Sequence, residues 1–361
     1  MIFDNPEISY FSNILSRSNT GSVPILLLYS LGFSETLILN EILNKRDAYR
    51  NARTNLLENN EGYDAFVEGS FFPCPDIELY ASTDFEPQKI KRNLNTLVTK
   101  KLLSVKKAIA KVGPYKGQPI RHAKISPDID ELLLNLADEG AVNIKKSCPE
   151  LLVPYEPLDK EKIQYLLNHW KLVVNRYLAH TISAQGSAIY NLIVSEAIHR
   201  RVDEYGPFRV DYSTLLATLN MCRPTLDKNL KKLSDLGIIH LSASSLGTFV
   251  EPKMREEVVK QSLKCGEKIH DLIKSKTGIL KKEFELIKQK IENIRSEFFS
   301  SIGAEFKPVQ IKFEDAKQYL IAQDIPWSEK IEERYVRITD IIKKNLDNKT
   351  VITGEGIVTK Q

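Results

Sequence analysis

Cysteine is scarce, and Cys74, Cys148, Cys222 and Cys265 stand far apart with no C-x-x-C pair. That spacing argues against a zinc module and against a disulfide framework. Each of the four is expected to be a small buried or half-buried residue. The six histidines are equally scattered, without H-E-x-x-H or H-x-H, so no metal and no other cofactor is expected. A G-x-x-x-x-G-K-[ST] phosphate loop, a G-x-G-x-x-G turn and a G-x-S-x-G elbow are all missing, which speaks against an ATPase or hydrolase. No histidine is followed at the third position by Arg, as a tyrosine recombinase would require. The chain is read as non-enzymatic, although a nuclease of dispersed carboxylates has no fixed local spacing to search for.

Long apolar runs are lacking too. Val23–Tyr29 is interrupted by Pro24 and falls far short of the roughly 20 residues that span a bilayer. Met1-Ile2-Phe3-Asp4-Asn5-Pro6-Glu7 has neither the basic start nor the apolar stretch of a signal peptide. A cytoplasmic chain without a membrane partner is the expectation. Its 361 residues call for more than one domain.

Acidic residues are absent from one long segment. Between Pro87 and Ser126 stand eleven cations, from Lys89 to Lys124, and no Asp or Glu. The whole chain carries only +4, so the remainder is net acidic. Surface charge is ordinarily mixed in sign. A localised cationic block therefore points to a polyanion, because Lys and Arg beside phosphates release condensed counterions.

The surroundings of the block suggest a fold. Leu31–Leu43 has helical apolar spacing after Ser34, a residue able to cap a first turn. Pro75–Ser82 reads as a short second helix, and a third begins at Glu86-Pro87 and runs to about Lys101, with Ile90, Leu94, Leu97 and Val98 as its buried stripe. The opposite face carries Gln88, Lys89, Lys91, Arg92 and Asn95, side chains that bond phosphates and base edges. Leu102–Lys107 and Ile120–Ile125 form a hairpin around a Gly-Pro-rich turn, with cations Lys106, Lys107, Lys116, Arg121 and Lys124. Helix, helix, basic helix and basic hairpin describe a winged helix-turn-helix. His122 is read as an ordinary surface residue with a lesser prospect of meeting phosphate.

Three prolines in Pro149–Pro157 mark a linker. Beyond it, Lys162–Leu178 and Ala188–Asp203 are helical by period, and Asp211–Leu219 and Arg223–Asp235 form a second helix pair leading to strands at Ile238-Ile239 and Thr248–Val250. The phrase at Asn93–Leu103 parallels that at Asn229–Ile239, which implies a second copy. There Arg223, Thr225, Lys228, Asn229, Lys231 and Lys232 could face DNA, but Asp227 and Asp235 dilute the charge. After Pro252, Ile273, Leu280, Phe284, Ile287, Ile291, Ile294 and Phe298 make a heptad seam on one long helix. Such a seam needs a partner. A second subunit is preferred, since dimers match symmetric DNA sites; a helix from Phe313–Leu346 is the alternative. The expected fold is mainly α with small β-hairpin wings (α+β): winged helices over 1–148 and 149–252, then a helical region over 253–361 whose end, from about Asp347, lacks a strong pattern.

The lead-in Gly69-Ser70-Phe71-Phe72, the basic third helix and Lys116-Gly117-Gln118-Pro119-Ile120-Arg121 resemble the amino-terminal winged helix of phage and mobile-element replisome organisers, over about residues 20–130. The tandem arrangement is similar to plasmid replication initiators built from two such domains. The resemblance implies origin-DNA binding through Gln88, Lys89, Lys91, Arg92 and Asn95 with wing residues Lys106, Lys116 and Arg121. It also implies a helicase or loader protein as partner. A sequence-specific double-stranded DNA binder of the replication-initiator type is thus expected. A dimeric transcription regulator is the runner-up, and a structural or partition adaptor the third class.

Overall fold

The computed structural model describes residues 20–58, 69–110, 117–253, 257–274, 281–302, 309–323, 351–353 and 356–358. Strand β1 (Thr20–Pro24) leads into helix α1 (Ile25–Leu31) and, past Gly32, α2 (Phe33–Glu58). Strand β2 (Phe72–Pro73), helices α3 (Asp76–Thr83) and α4 (Pro87–Thr99), and the hairpin β3 (Leu103–Ile109) with β4 (Pro119–Ile125) follow, then α5 (Ile129–Ser147). After α6 (Lys160–His169) the order returns: β5 (Lys171–Asn175), α7 (Arg176–Ile182), α8 (Ala184–His199), the short α9 (Val202–Tyr205), β6 (Phe208–Arg209), α10 (Tyr212–Leu219), α11 (Arg223–Asp235), the hairpin β7 (Ile239–Ser244) with β8 (Gly247–Pro252), and α12 (Glu257–Lys274). Helix α13 (Lys281–Ile302), β9 (Val309–Gln310), α14 (Phe313–Ala322), β10 (Val351–Thr353) and β11 (Gly356–Val358) complete a chain that is mainly helical with small sheets.

The repetition reaches single residues. Past α1 the backbone turns at Gly32 (φ 99°), past α7 at Ser183 (φ 83°). Asp84 (φ 56°) makes the left-handed turn between α3 and α4, and Asn220 (φ 45°) the one between α10 and α11. Helix α4 closes with Lys101 N–H donating to Val98 O and Leu102 N–H to Leu97 O; α11 closes with Gly237 to Ser234 and Ile238 to Leu233. This double closure favours glycine at its left-handed residue. Gly237 supplies one (φ 66°), whereas Lys101 adopts the conformation (φ 60°) at a cost of about 1 kcal/mol.

Two further matches join the repeats. Helix α5 packs on α1 and α12 on α7. At the first crossing a Cβ on Gly140 would overlap the Leu26 carbonyl, and at the second a Cβ on Gly266 would overlap the Tyr177 carbonyl. Strands β1 and β5 are counterparts that pair with each other, antiparallel, with Thr20 opposite Asn175, Ser22 opposite Val173 and Pro24 opposite Lys171. Ser22 thus faces its own counterpart, which gives the ribbon a local dyad. Arg176 of α7 reaches across to the buried Glu41 of α2, with Nη2 2.8 and 2.7 Å from the two carboxylate oxygens.

The described residues fall into two compact units, each gathered from several stretches of the chain. One gathers residues within 1–194, 211–238 and 253–305; the other gathers those within 195–210, 239–252 and 306–361. The first contains both helix pairs and the hairpin β3–β4, whose sheet runs β2-β4-β3. In the second, β6-β8-β7 repeats that order and gains β9, which pairs parallel to β7 through Ser242 with Val309 and Ala243 with Gln310. Its core joins Leu246 and Phe249 to Ala316 and Leu320 of α14.

Several expectations change. Lys162–Leu178 is not one helix: α6 stops at His169, and the alternately buried Lys171–Asn175, with adjacent Val173 and Val174, finds a strand partner in β1. Residues 129–147 form a helix that the sequence reading passed over, buried through Ile129, Ala137, Gly140, Ala141 and Ile144. The expected linker at 149–157 is structured, with two short 3-10 turns and a fully buried Leu152. The single helix expected after Pro252 is two, α12 and α13, packed together. Its seam residues Ile273, Ile287, Ile291 and Phe298 are buried within this chain, so the argument for a homodimer from an open seam does not stand. Ile294 is half-buried, and Leu280 and the Phe284 side chain lie outside the described residues. So do Ile331, Ile338, Ile341 and Ile342, while β10 and β11 pair where no strong pattern was read. Among the described residues no single helix is long and apolar enough to cross a membrane.

Candidate nucleic-acid interface

Helix α4 starts with Pro87 in its first turn, where the missing N–H costs nothing. Ile90, Leu94 and Leu97 are fully buried, and Asn93 joins them with its Nδ2 unpartnered. Val98, expected in this stripe, is instead 37% exposed. The outward face presents Gln88, Lys91, Arg92 and Asn95, all exposed, at spacings that keep them on one side of the helix. With Thr96, Thr99 and Lys100 they line an open depression of about 540 Å³. No acidic side chain lies along it.

Other cations of the block are held by their surroundings. Lys89 lies with Nζ 3.8 Å from the centroid of the Phe85 ring, and burial pulls its ammonium below the ordinary lysine range. Lys100 donates to Ser30 O at 3.1 Å. Lys106 Nζ sits 4.1 Å from the Phe71 ring centroid, a cation–π contact that gives the aromatic lead-in a physical role. Lys107 is exposed and Lys124 half-buried. Lys116, like Lys111, lies outside the described residues.

Arg121 departs most from expectation. Its guanidinium makes a bidentate pair with Asp76 at the start of α3, Nε to Oδ1 at 2.7 Å and Nη2 to Oδ2 at 3.1 Å. Burial opposes its charge, but the Asp76 carboxylate outweighs burial and raises the pKa. The side chain is 11% exposed and ties the hairpin to the helix pair. His122 is likewise no surface residue: it is 9% exposed, its Nδ1 3.3 Å from Ile120 O.

Helix α13 supplies side chains that the sequence reading missed. Arg295 Nη2 donates to Asp84 Oδ1 at 2.5 Å and Nε to His180 O at 2.8 Å, while Lys288 Nζ lies 3.0 Å from Glu86 Oε1. Asp84 and Glu86 bracket the entry to α4, so α13 fixes the position of that helix. The seven-residue spacing of Lys288 and Arg295 on one helical face was the available signal.

The second set is different. Arg223 stacks over the Tyr212 ring at 5.3 Å and lies 3.8 Å from Asp227. Thr225 is half-buried, its Oγ1 3.1 Å from Cys222 Sγ. Bonds from the Thr225 hydroxyl and amide hold the Cys222 thiol below its ordinary pKa. Lys228, Lys231 and Lys232 are all exposed, and partial desolvation together with the nearby Arg295 guanidinium pulls the Lys232 ammonium below the lysine range. The structure brings Gln88, Lys91, Arg92 and Asn95 together as one acid-free face, but α11 carries Asp227 and Asp235 within its cationic run. Among the described residues no three His, Cys, Asp or Glu side chains converge to hold a metal ion. No family model, curated protein or solved structure matches the chain.

Proposed function

We propose that this chain binds double-stranded DNA through the outward face of α4, with helix pair and hairpin forming a winged helix-turn-helix. The observation that carries the reading is the exposed row Gln88, Lys91, Arg92 and Asn95 opposite a fully buried apolar stripe. Gln and Asn read base edges, and Lys and Arg neutralise phosphate or bond guanine. We assign the role to the replication-initiator or replisome-organiser type, on the resemblance over about residues 20–130 and on the repetition of strand, helix pair and hairpin along the chain. The reading attributes to it binding rather than catalysis.

The second copy has a different part in this reading. Asp227 and Asp235 interrupt its helix, and β9 pairs along β7 of its hairpin. Both features favour protein contacts over phosphate contacts.

The test is full-chain binding to a duplex pool at several salt concentrations. Replacing Lys91 and Arg92 together with Ala should weaken binding and flatten the plot of log affinity against log salt by about one to two units, since each phosphate contact contributes nearly one. An unchanged affinity and slope would remove α4 from the interface. Mapping the bound sites on the source genome separates origin repeats from a promoter palindrome.

A further inference from the structure

In the β3–β4 hairpin, residues directly opposite share a face. Leu103 with Ile125, Val105 with Ala123, Lys107 with Arg121, and Ile109 with Pro119 line one face in that order. Near the helices this face is core: Leu103, Ala123 and Ile125 are buried and Val105 half-buried. Farther out the Lys107–Arg121 pair interrupts it, and beyond that pair the face ends in a second apolar pair that emerges into solvent. Ile109 is 65% exposed, the most of any large hydrophobic side chain among the described residues, and Pro119 opposite is exposed as well.

Single exposed hydrophobics are ordinary. This pair differs in its setting: Arg121 beside it is paired with Asp76, but Lys107 on the same face is exposed, and the 87–126 segment itself holds eleven cations and no acid. That field favours a polyanion over a protein surface of mixed charge. The chemistry that places isoleucine or proline next to phosphate-binding lysines is minor-groove wedging, in which an apolar side chain enters between base steps, partly unstacks them and kinks the duplex.

We propose that Ile109 and Pro119 form such a wedge, entering the minor groove beside the major groove occupied by α4 and bending the DNA. This rests on the duplex-binding reading of α4. The kink favours sites with easily unstacked pyrimidine–purine steps under the hairpin, which gives sequence preference at positions that no side chain reads by hydrogen bonding.

The test uses a duplex of about 30 base pairs, a length whose bending is readily measured, selected from a random pool by the full chain and labelled at both ends for energy transfer. The wild-type chain should bring the ends together. I109A/P119A removes no phosphate contact, so it should still bind the duplex with the wild-type salt slope and lose the bend; I109K, which adds a cation, should also bind and lose it. The wedge is overturned if the wild type binds a straight duplex, or if I109A/P119A bends it as much as wild type does. It is overturned equally if that variant, with unchanged circular dichroism, loses binding altogether, because the pair would then be an anchor. A wild-type chain that retains no duplex would overturn the DNA reading itself.

Discussion

Tyr29 and His180 hold matching places in α1 and α7, and each reaches a backbone carbonyl of the other repeat: the Tyr29 hydroxyl donates to Ala217 O at 2.5 Å, and His180 Nε2 lies 2.9 Å from Ala81 O. Ala217 and Ala81 hold matching places in α10 and α3 in turn. The short helix of each repeat thus braces the first helix of the other's pair, an exchange consistent with the dyad of the β1–β5 ribbon. The two sides are not chemically equal. His180 also meets Asp84, Nδ1 to Oδ1 at 3.2 Å, where Arg295 joins.

Tyr29→Phe tests the brace. Burial first, and then the neighbouring Cys148, push the Tyr29 phenol well above its ordinary range, so the hydroxyl stays a donor at any usual pH. Removing it leaves the Ala217 carbonyl without that partner, and the expected loss is about 1–2 kcal/mol. Urea unfolding of the full chain would measure it as a lower midpoint at constant slope. An unchanged midpoint would mean that the exchange is incidental.

Gly140 and Gly266 should be the costliest glycine-to-alanine substitutions among the described residues. Each lets one helix press on another repeat element at backbone distance, and the atom an added methyl would strike is a main-chain carbonyl that cannot rotate away. Gly140→Ala and Gly266→Ala should each destabilise by about 3 kcal/mol through overpacking, although alanine is the better helix former by about 1 kcal/mol. A gain in thermal midpoint for either variant would contradict the close crossing.

Much of this was legible in the sequence, and the limits have physical causes. Helix α4 is written by Pro87 and by Ile90, Leu94 and Leu97, and the parallel of Asn93–Leu103 with Asn229–Ile239 announced the duplication. The rest of the repeat was hidden. Strand β5 is five residues long and sits between helices, so its alternation is too short to stand out until β1 is known to pair with it. The face of α5 that meets α1 is made of Ala137, Gly140 and Ala141, small residues with little apolar signal that bury well because the helices approach so closely. Spacing also identified the seam around Ile287 and Ile291 but could not tell a second subunit from a neighbouring helix. At the candidate interface, charge located the face of α4. It could not foresee that Asp76, far away in sequence, would claim Arg121.

Lys107 and Arg121 stand directly opposite each other in the hairpin and should behave in opposite ways. Lys107 is exposed, whereas the Arg121 guanidinium is spent on Asp76. If the hairpin lies along DNA, Lys107→Ala should weaken duplex binding and flatten its salt slope by about one unit while leaving stability unchanged. Arg121→Ala should do the reverse: it removes a half-buried bidentate pair and the packing of the arginine stem, with a cost of about 1 kcal/mol after solvent screening of the partly exposed Asp76, and it leaves the salt slope as in the wild type. Binding and melting curves on the two variants decide the matter together. A flattened slope for Arg121→Ala with an unchanged melting temperature would return this arginine to the DNA and take the structural role from it.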